Sequence, residues 1–263
     1  MKYFKTFVFV LSLAIIAGGC WNTAQAQKKR RAKKANTAST SKPKSGSKKT
    51  ASVTGSADGH EWIDLGLPSG TLWATMNVGA NRPEDYGDYF AWGETKAKDE
   101  YNWATYKWCN GTTESATKYC NDSSYGTVDN KNELDPEDDA ATANWGSNWQ
   151  MPSLDQLEEL RTECNWKWTS RNGVKGYVVT SKSNKASLFL PTAGEYCNSN
   201  IVEAGTKGSY WSRTVSESIA IGSYHLYMDS NSELLIANSS FIVCDDNAKA
   251  VGSSVRAVLV NNK

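Results

Sequence analysis

Histidine is almost missing from this chain: His60 and His225 are the only two in 263 residues. Two imidazoles leave little for an acid–base relay or a histidine-rich metal centre. The sequence has no H-E-x-x-H, no G-x-S-x-G, no glycine-rich phosphate loop and no C-x-x-C. The usual sequence grounds for a zinc protease, a serine hydrolase, a nucleotide site or a dithiol redox centre are therefore missing. No apolar run reaches the ~20 residues of a membrane-spanning helix. Acidic residues are absent from the first 57 positions.

What is present falls into three zones. In residues 1–26, Lys2 and Lys5 precede an apolar run at 7–17, the pattern of a secretory signal peptide. Two cleavage readings stand. Ala24-Gln25-Ala26 is an A-x-A site that releases a chain beginning at Gln27. Ala17-Gly18-Gly19-Cys20 instead resembles a lipobox, with Cys20 lipidated; the membrane would then be reached only through that anchor. Both readings predict export, to the periplasm or outer membrane, the cell surface or the medium.

Residues 27–57 carry ten Lys and Arg and no acid among Ala, Ser, Thr and Gly. Such a segment cannot bury enough apolar surface to order itself, so a disordered basic linker is expected. It reads either as a solvated spacer or as a tether to an anionic envelope surface. Export argues against a nucleic-acid partner. Residues 58–263 hold all 28 Asp and Glu but 17 of the 29 Lys and Arg, a net charge of −11, with ten of the eleven Trp. That length supports one domain with a sizeable core.

Five cysteines remain after Cys20: Cys109, Cys120, Cys164, Cys197 and Cys244. In an oxidising compartment, Cys109 and Cys120 make the best disulfide, across a Gly/Thr/Ser-rich stretch. Cys197 with Cys244 is the second pairing, which leaves Cys164 over.

Strand signals dominate the domain. They fall at 61–65, 71–78, 86–93, 177–181 with 187–190, 210–212, 224–228 with 233–236, and 254–260. In 71–78, Leu72, Ala74, Met76 and Val78 alternate with Trp73, Thr75 and Asn77, a half-buried strand after the Pro68-Ser69-Gly70 turn. Residues 94–135 read as long loops, which are uncommon unless functional or pinned. One helix is expected from Pro136 to Asn144. A second starts at Ser153, whose capping box with Gln156 precedes Leu154, Leu157 and Leu160 on one face. The class is α+β with a mainly antiparallel sheet.

Three groups carry candidate chemistry. Asp135, Glu137, Asp138 and Asp139 offer carboxylate oxygens of the kind Ca²⁺ takes, and also suit a helix N-terminus; no other cofactor is expected. Trp73, Trp92, Trp149 and Trp211 read as core, whereas Trp103, Trp108, Trp166 and Trp168 read as partly exposed, where a sugar face can stack. On 224–228, Tyr224, Leu226 and Met228 point one way, and His225, Tyr227 and Asp229 form the opposite, solvent-facing set. His60 is expected at the surface.

Seven motifs, in order, carry a family resemblance: DLGLPSGTLWATMNVGA (64–80), YGDYFAWGET (86–95), LDPEDDAATANWGSNWQMPS (134–153), GYVVTS (176–181), LFLPTAGE (188–195), SYWS (209–212) and SSVRAV (253–258). Together they resemble the Fibrobacter succinogenes major paralogous domain family over about residues 60–260. That family is similar to the C-type-lectin-like fold of formylglycine-generating enzymes, whose helix start resembles WQMPSLDQLEEL (149–160) here. The resemblance implies chain ends paired in one sheet and a loop-rich ligand face. It does not carry over catalysis, because Cys197 and Cys244 lack the family's catalytic context. Some relatives are diversified by retroelements between the Y-W-S and S-V-R motifs. Carried onto residues 213–253, this implies ligand contacts at Arg213, His225, Tyr227, Asp229, Asn231, Asn238, Phe241, Asp245, Asp246 and Asn247. The expected function is a non-catalytic, envelope-associated binding module for a protein or glycan. The alternatives are a formylglycine-generating-like or carbohydrate-active enzyme, and a structural envelope protein.

Overall fold

The structure is a computed structural model that describes residues 54–231, 234–237 and 249–260. The chain divides into two units, Met1–Ser47 and Lys48–Lys263, and every described residue belongs to the second. Along it run β1 (Thr54–Ala57), β2 (His60–Asp64), β3 (Leu72–Ala74), α1 (Ala140–Trp145), β4 (Trp149–Gln150), α2 (Leu154–Glu163), β5 (Cys164–Arg171), β6 (Val174–Ser181), β7 (Ser187–Pro191), β8 (Glu195–Cys197), β9 (Asn200–Val202), β10 (Lys207–Val215), β11 (Ser223–Asp229), β12 (Leu234–Ala237) and β13 (Val258–Leu259). The sheets have the orders β1-β2-β3-β13-β4, β5-β6-β7, β8-β9 and β10-β11-β12. All strand pairs in them are antiparallel. With two α-helices this is an α+β architecture, and the late strand β13 closes against the early strand β3.

Local chemistry explains most boundaries. Asp58-Gly59 and Asn172-Gly173 take left-handed φ values of 49° and 82°, and of 49° and 85°, and close the β1–β2 and β5–β6 hairpins. The second hairpin adds β5, a strand that the alternation reading passed over. At α2 the capping box forms as expected: Gln156 N donates to Ser153 Oγ at 3.2 Å, and Ser153 N to Gln156 Oε1 at 2.9 Å. The helix expected at Pro136 is split. Pro136–Asp138 makes one 3₁₀ turn, and α1 starts after Asp139, whose Oδ1 caps Ala141 N and Thr142 N. Burial pushes the Asp139 carboxyl up, against these backbone donors.

Two strand expectations need correction. Residues 86–93 form no strand; Phe90 makes a single bridge to Ser253, and Gly87 and Gly93 at φ 74° and 76° break the extension. The alternation of 71–78 fails because β3 lies inside its sheet with core on both faces: Trp73 and Asn77 are fully buried and Leu72 is half-buried. His60 is not free on the surface either, since its ring stacks on Trp145 at 3.9 Å.

The tryptophans divide as expected. Trp73, Trp92, Trp149 and Trp211 are fully buried, whereas Trp103, Trp108, Trp166 and Trp168 are half-buried. Trp92, Trp149 and Trp211 anchor one apolar cluster. Trp73 shares a second cluster with Leu157 and Leu160 of α2 and with Leu226 and Met228 of β11. The β10–β12 sheet therefore has core on both sides.

Arg256 joins the motif segments at the centre. Its Nε donates to Asn77 Oδ1 at 2.9 Å, one terminal nitrogen to Ala74 O at 3.2 Å, and the other to Phe189 O at 3.0 Å. Burial lowers its pKa to about 10, which still leaves it charged at neutral pH. A buried guanidinium persists only where acceptors meet its donors, and here each of its three nitrogens has one.

Candidate functional site

The β11 residues expected on the ligand face are buried instead. β11 lies between β10 and β12, and His225, Tyr227 and Asp229 are 0%, 6% and 5% exposed. The alternation is real, but both of its sides are core. His225 is paired across the ladder with Trp211 and meets that ring edge-on at 5.5 Å. Among the described residues, neither ring nitrogen has a hydrogen-bond partner. Burial lowers the His225 pKa to about 4, against a small opposing effect of the Ser223 backbone. Tyr227 lines a tight recess of only about 10 Å³ with Glu195, Glu203, Lys207 and Ser209. The Asp229 carboxylate folds back on its own turn, accepting Asn231 N at 2.9 Å and Asn231 Nδ2 at 3.0 Å.

Arg213 is a structural brace. Its Nε donates to Glu133 Oε2 at 2.9 Å, and Nη1 donates to Met151 O at 3.3 Å. Asn238, Phe241, Asp245, Asp246 and Asn247 lie outside the described residues, as do Cys20 and the expected Cys197 partner, Cys244.

The acid cluster is filled by lysines. Asp138 accepts Lys118 Nζ at 2.6 Å, Lys107 Nζ at 3.1 Å and the Tyr119 hydroxyl at 2.7 Å. Burial would raise its pKa, but Lys118, Tyr119 and Lys107 together outweigh that and hold it below the ordinary value. Asp135 pairs with Lys118 and Lys131, Asp139 caps α1, and Glu137 is exposed. Among the described residues, no three His, Cys, Asp or Glu side chains converge as a metal site would need.

Cys109 and Cys120 are free thiols rather than a disulfide. Cys109 Sγ donates to Trp103 O at 3.1 Å and Cys120 Sγ to Asp122 O at 3.1 Å. The loop is pinned by other means. Both Asp129 carboxylate oxygens are used, accepting Tyr119 N at 2.8 Å and Cys120 N at 3.1 Å. Tyr119, at φ 58°, packs its ring edge-on against Trp92 and Trp108.

This pinned loop and the β10–β11 connection form the walls of an open recess of about 430 Å³. Asn121, Asp122, Ser123 and Val128 line one side, and Glu217, Ser218 and Ala220 the other. That volume lies in the range of small-ligand sites. Among the described residues the lining holds two carboxylates, an amide and two hydroxyls, with no Lys, Arg or His. Asn121 Nδ2 bridges the walls, reaching Ser216 O at 3.2 Å and Glu217 O at 3.4 Å. The expectation had singled out the 213–253 interval, which supplies one wall. The other comes from 94–135, where unusual loop length was the only signal.

No family model matches the chain, and neither a curated protein nor a solved structure matches it.

Proposed function

We propose that this is an exported, non-catalytic binding module of the Fibrobacter succinogenes major paralogous type, with a C-type-lectin-like fold. It engages a protein partner through the recess between residues 121–128 and 217–220. Export rests on the basic, apolar and A-x-A pattern of residues 1–26. The fold reading is supported by β13 pairing with β3 and by loops gathered on one face.

One observation carries the function: an open recess of ligand size whose charged lining, among the described residues, is Asp122 and Glu217. Acceptors without a lining cation suit a ligand rich in donors. The net charge of −11 over residues 58–263 attracts bases and repels phosphate or sulfate. A neutral glycan gains most from stacking on an aromatic ring, and among the described residues no aromatic lines the recess. The favoured ligand is therefore a Lys- or Arg-bearing segment of another protein.

The test titrates a hexa-arginine peptide, a hexa-glutamate peptide and a neutral laminarihexaose against the secreted chain. Hexa-arginine alone is expected to bind, with a loss of about tenfold in Asp122→Asn/Glu217→Gln. Equal binding by that double variant refutes the recess as the site. Capture of laminarihexaose in place of the peptide refutes the ligand class.

A further inference from the structure

Lysine is among the residues least often found fully buried, yet Lys249 is 3% exposed. Every polar group it has is engaged. Its backbone N donates to Ile221 O at 3.2 Å, and its carbonyl accepts Trp92 N at 2.8 Å. Its ammonium donates to Tyr119 O and to Ala220 O, each at 2.8 Å, and lies 5.2 Å from the centre of the Trp92 ring. Tyr119 stands at the foot of the loop that makes one wall of the recess. Ala220 belongs to the other wall. One cation therefore holds a carbonyl from each side.

We propose that Lys249 is the positioning residue of the recess: its buried ammonium ties the 119–130 loop to the 216–222 connection, and removing it unfastens both together. The use of the recess rests on the binding reading above, whereas the tie stands on these contacts alone. The Asn121 amide is a second and weaker cross-link, at 3.2 and 3.4 Å on the outer side. Without Lys249, the Tyr119 and Ala220 carbonyls lose a charged donor in a dry setting and gain by turning to water.

Protonation enters with a definite sign. Among the described residues, the groups facing the ammonium are Cys120 and Asp129 of the loop, which favour the charge, Tyr119, whose hydroxyl is held by Asp138, and the Trp92 ring. From the 216–222 side the one charged group is Glu217, which is exposed. Burial outweighs Cys120 and Asp129 and lowers the Lys249 pKa to about 8. Opening the tie returns the amine to water, where its pKa is about 10.4. Opening is thus most favourable while the lysine is charged, below pH 8. It becomes up to about tenfold rarer per pH unit as pH rises from 8 toward 10.

Hydrogen exchange of the full secreted chain, read by mass spectrometry and divided by intrinsic rates, tests this without any ligand. In wild type, opening of 119–130 and of 216–222 should fall together, about fivefold from pH 8 to pH 9, with no change in the β5–β6 hairpin. In Lys249→Met both segments should lose about tenfold in protection at pH 7 and show no such pH dependence. Wild-type opening that is flat or rises with pH overturns the tie, and this holds even if the variant does not fold. So does a variant in which one segment alone, or neither, changes. Hexa-arginine binding is a separate readout, so failure of the tie and failure of the binding site are seen apart.

Discussion

Arg256 and Lys249 are both buried cations, and they hold different parts of the molecule. Arg256 spans Ala74, Asn77 and Phe189, drawn from β3, the segment after it and β7. Lys249 spans two loop carbonyls. A planar guanidinium has fixed donor directions and can join three segments at once, whereas an ammonium is a compact charge with freely rotating donors. The elements around Arg256 have other ladder bonds. The walls around Lys249 have few. One cation therefore serves the stability of the whole domain, and the other the shape of one face.

Replacing Arg256 should have the largest effect. Arg256→Met leaves the Asn77, Ala74 and Phe189 acceptors unpaired in the core and is expected to cost about 3–5 kcal/mol in chemical denaturation. Arg256→Lys should recover less than half of that, and full recovery would show that the planar donor geometry is immaterial. Lys249→Met should cost far less global stability. If it unfolds the domain as readily as Arg256→Met, the contrast between core tie and loop tie fails.

His225 sharpens the comparison, as a buried base whose ring nitrogens have no close hydrogen-bond partner among the described residues. Its folded pKa of about 4 lies below the unfolded value of 6.5. The unfolded chain therefore takes up a proton first, and stability falls as pH drops from 6.5 toward 4, by at most about 3 kcal/mol. His225→Phe should remove this slope and leave stability at pH 7 equal or higher, because an unpartnered polar ring gives way to an apolar one. A steep loss in that variant at pH 7 would mean that the imidazole nitrogens are used.

Asp138 comes next. Its carboxylate, held below its ordinary pKa, contributes stability that is full above about pH 4 and is lost as pH falls further. Asp138→Asn should cost about 1–3 kcal/mol at pH 7 and flatten the acid limb of the stability curve. The smallest effect is expected for Asp122→Asn/Glu217→Gln, two exposed side chains whose joint change should leave the melting midpoint within about 2 °C. A larger shift would give the recess a structural role.

The sequence made some elements legible because their determinants are local. The Ser153–Gln156 capping box, the β6–β7 hairpin and the division of the tryptophans rest on neighbouring residues, on periodicity or on size. Asn172-Gly173 was equally local and would have revealed β5. The outward face of β11 was misread for a physical reason: a period of two distinguishes two faces but does not say which is wet, and here the β10–β12 sheet has core on both. The Cys109–Cys120 pairing followed from spacing and compartment, while the loop is closed by the Asp129 carboxylate. The recess left no pattern, since its walls come from segments about 95 residues apart, joined by Asn121 and Lys249.

The contacts of Arg256 with Asn77 and Ala74 bridge 179 and 182 positions of sequence. Strand β3 pairs on one side with the nearby β2 and on the other with β13, from the far end of the domain. A native state that depends on contacts this remote in sequence has a high contact order and folds slowly. For a chain proposed to leave the cytoplasm, slow folding is useful: the polypeptide stays threadable until its later segments have crossed, and the buried cation locks the sheet only on the far side.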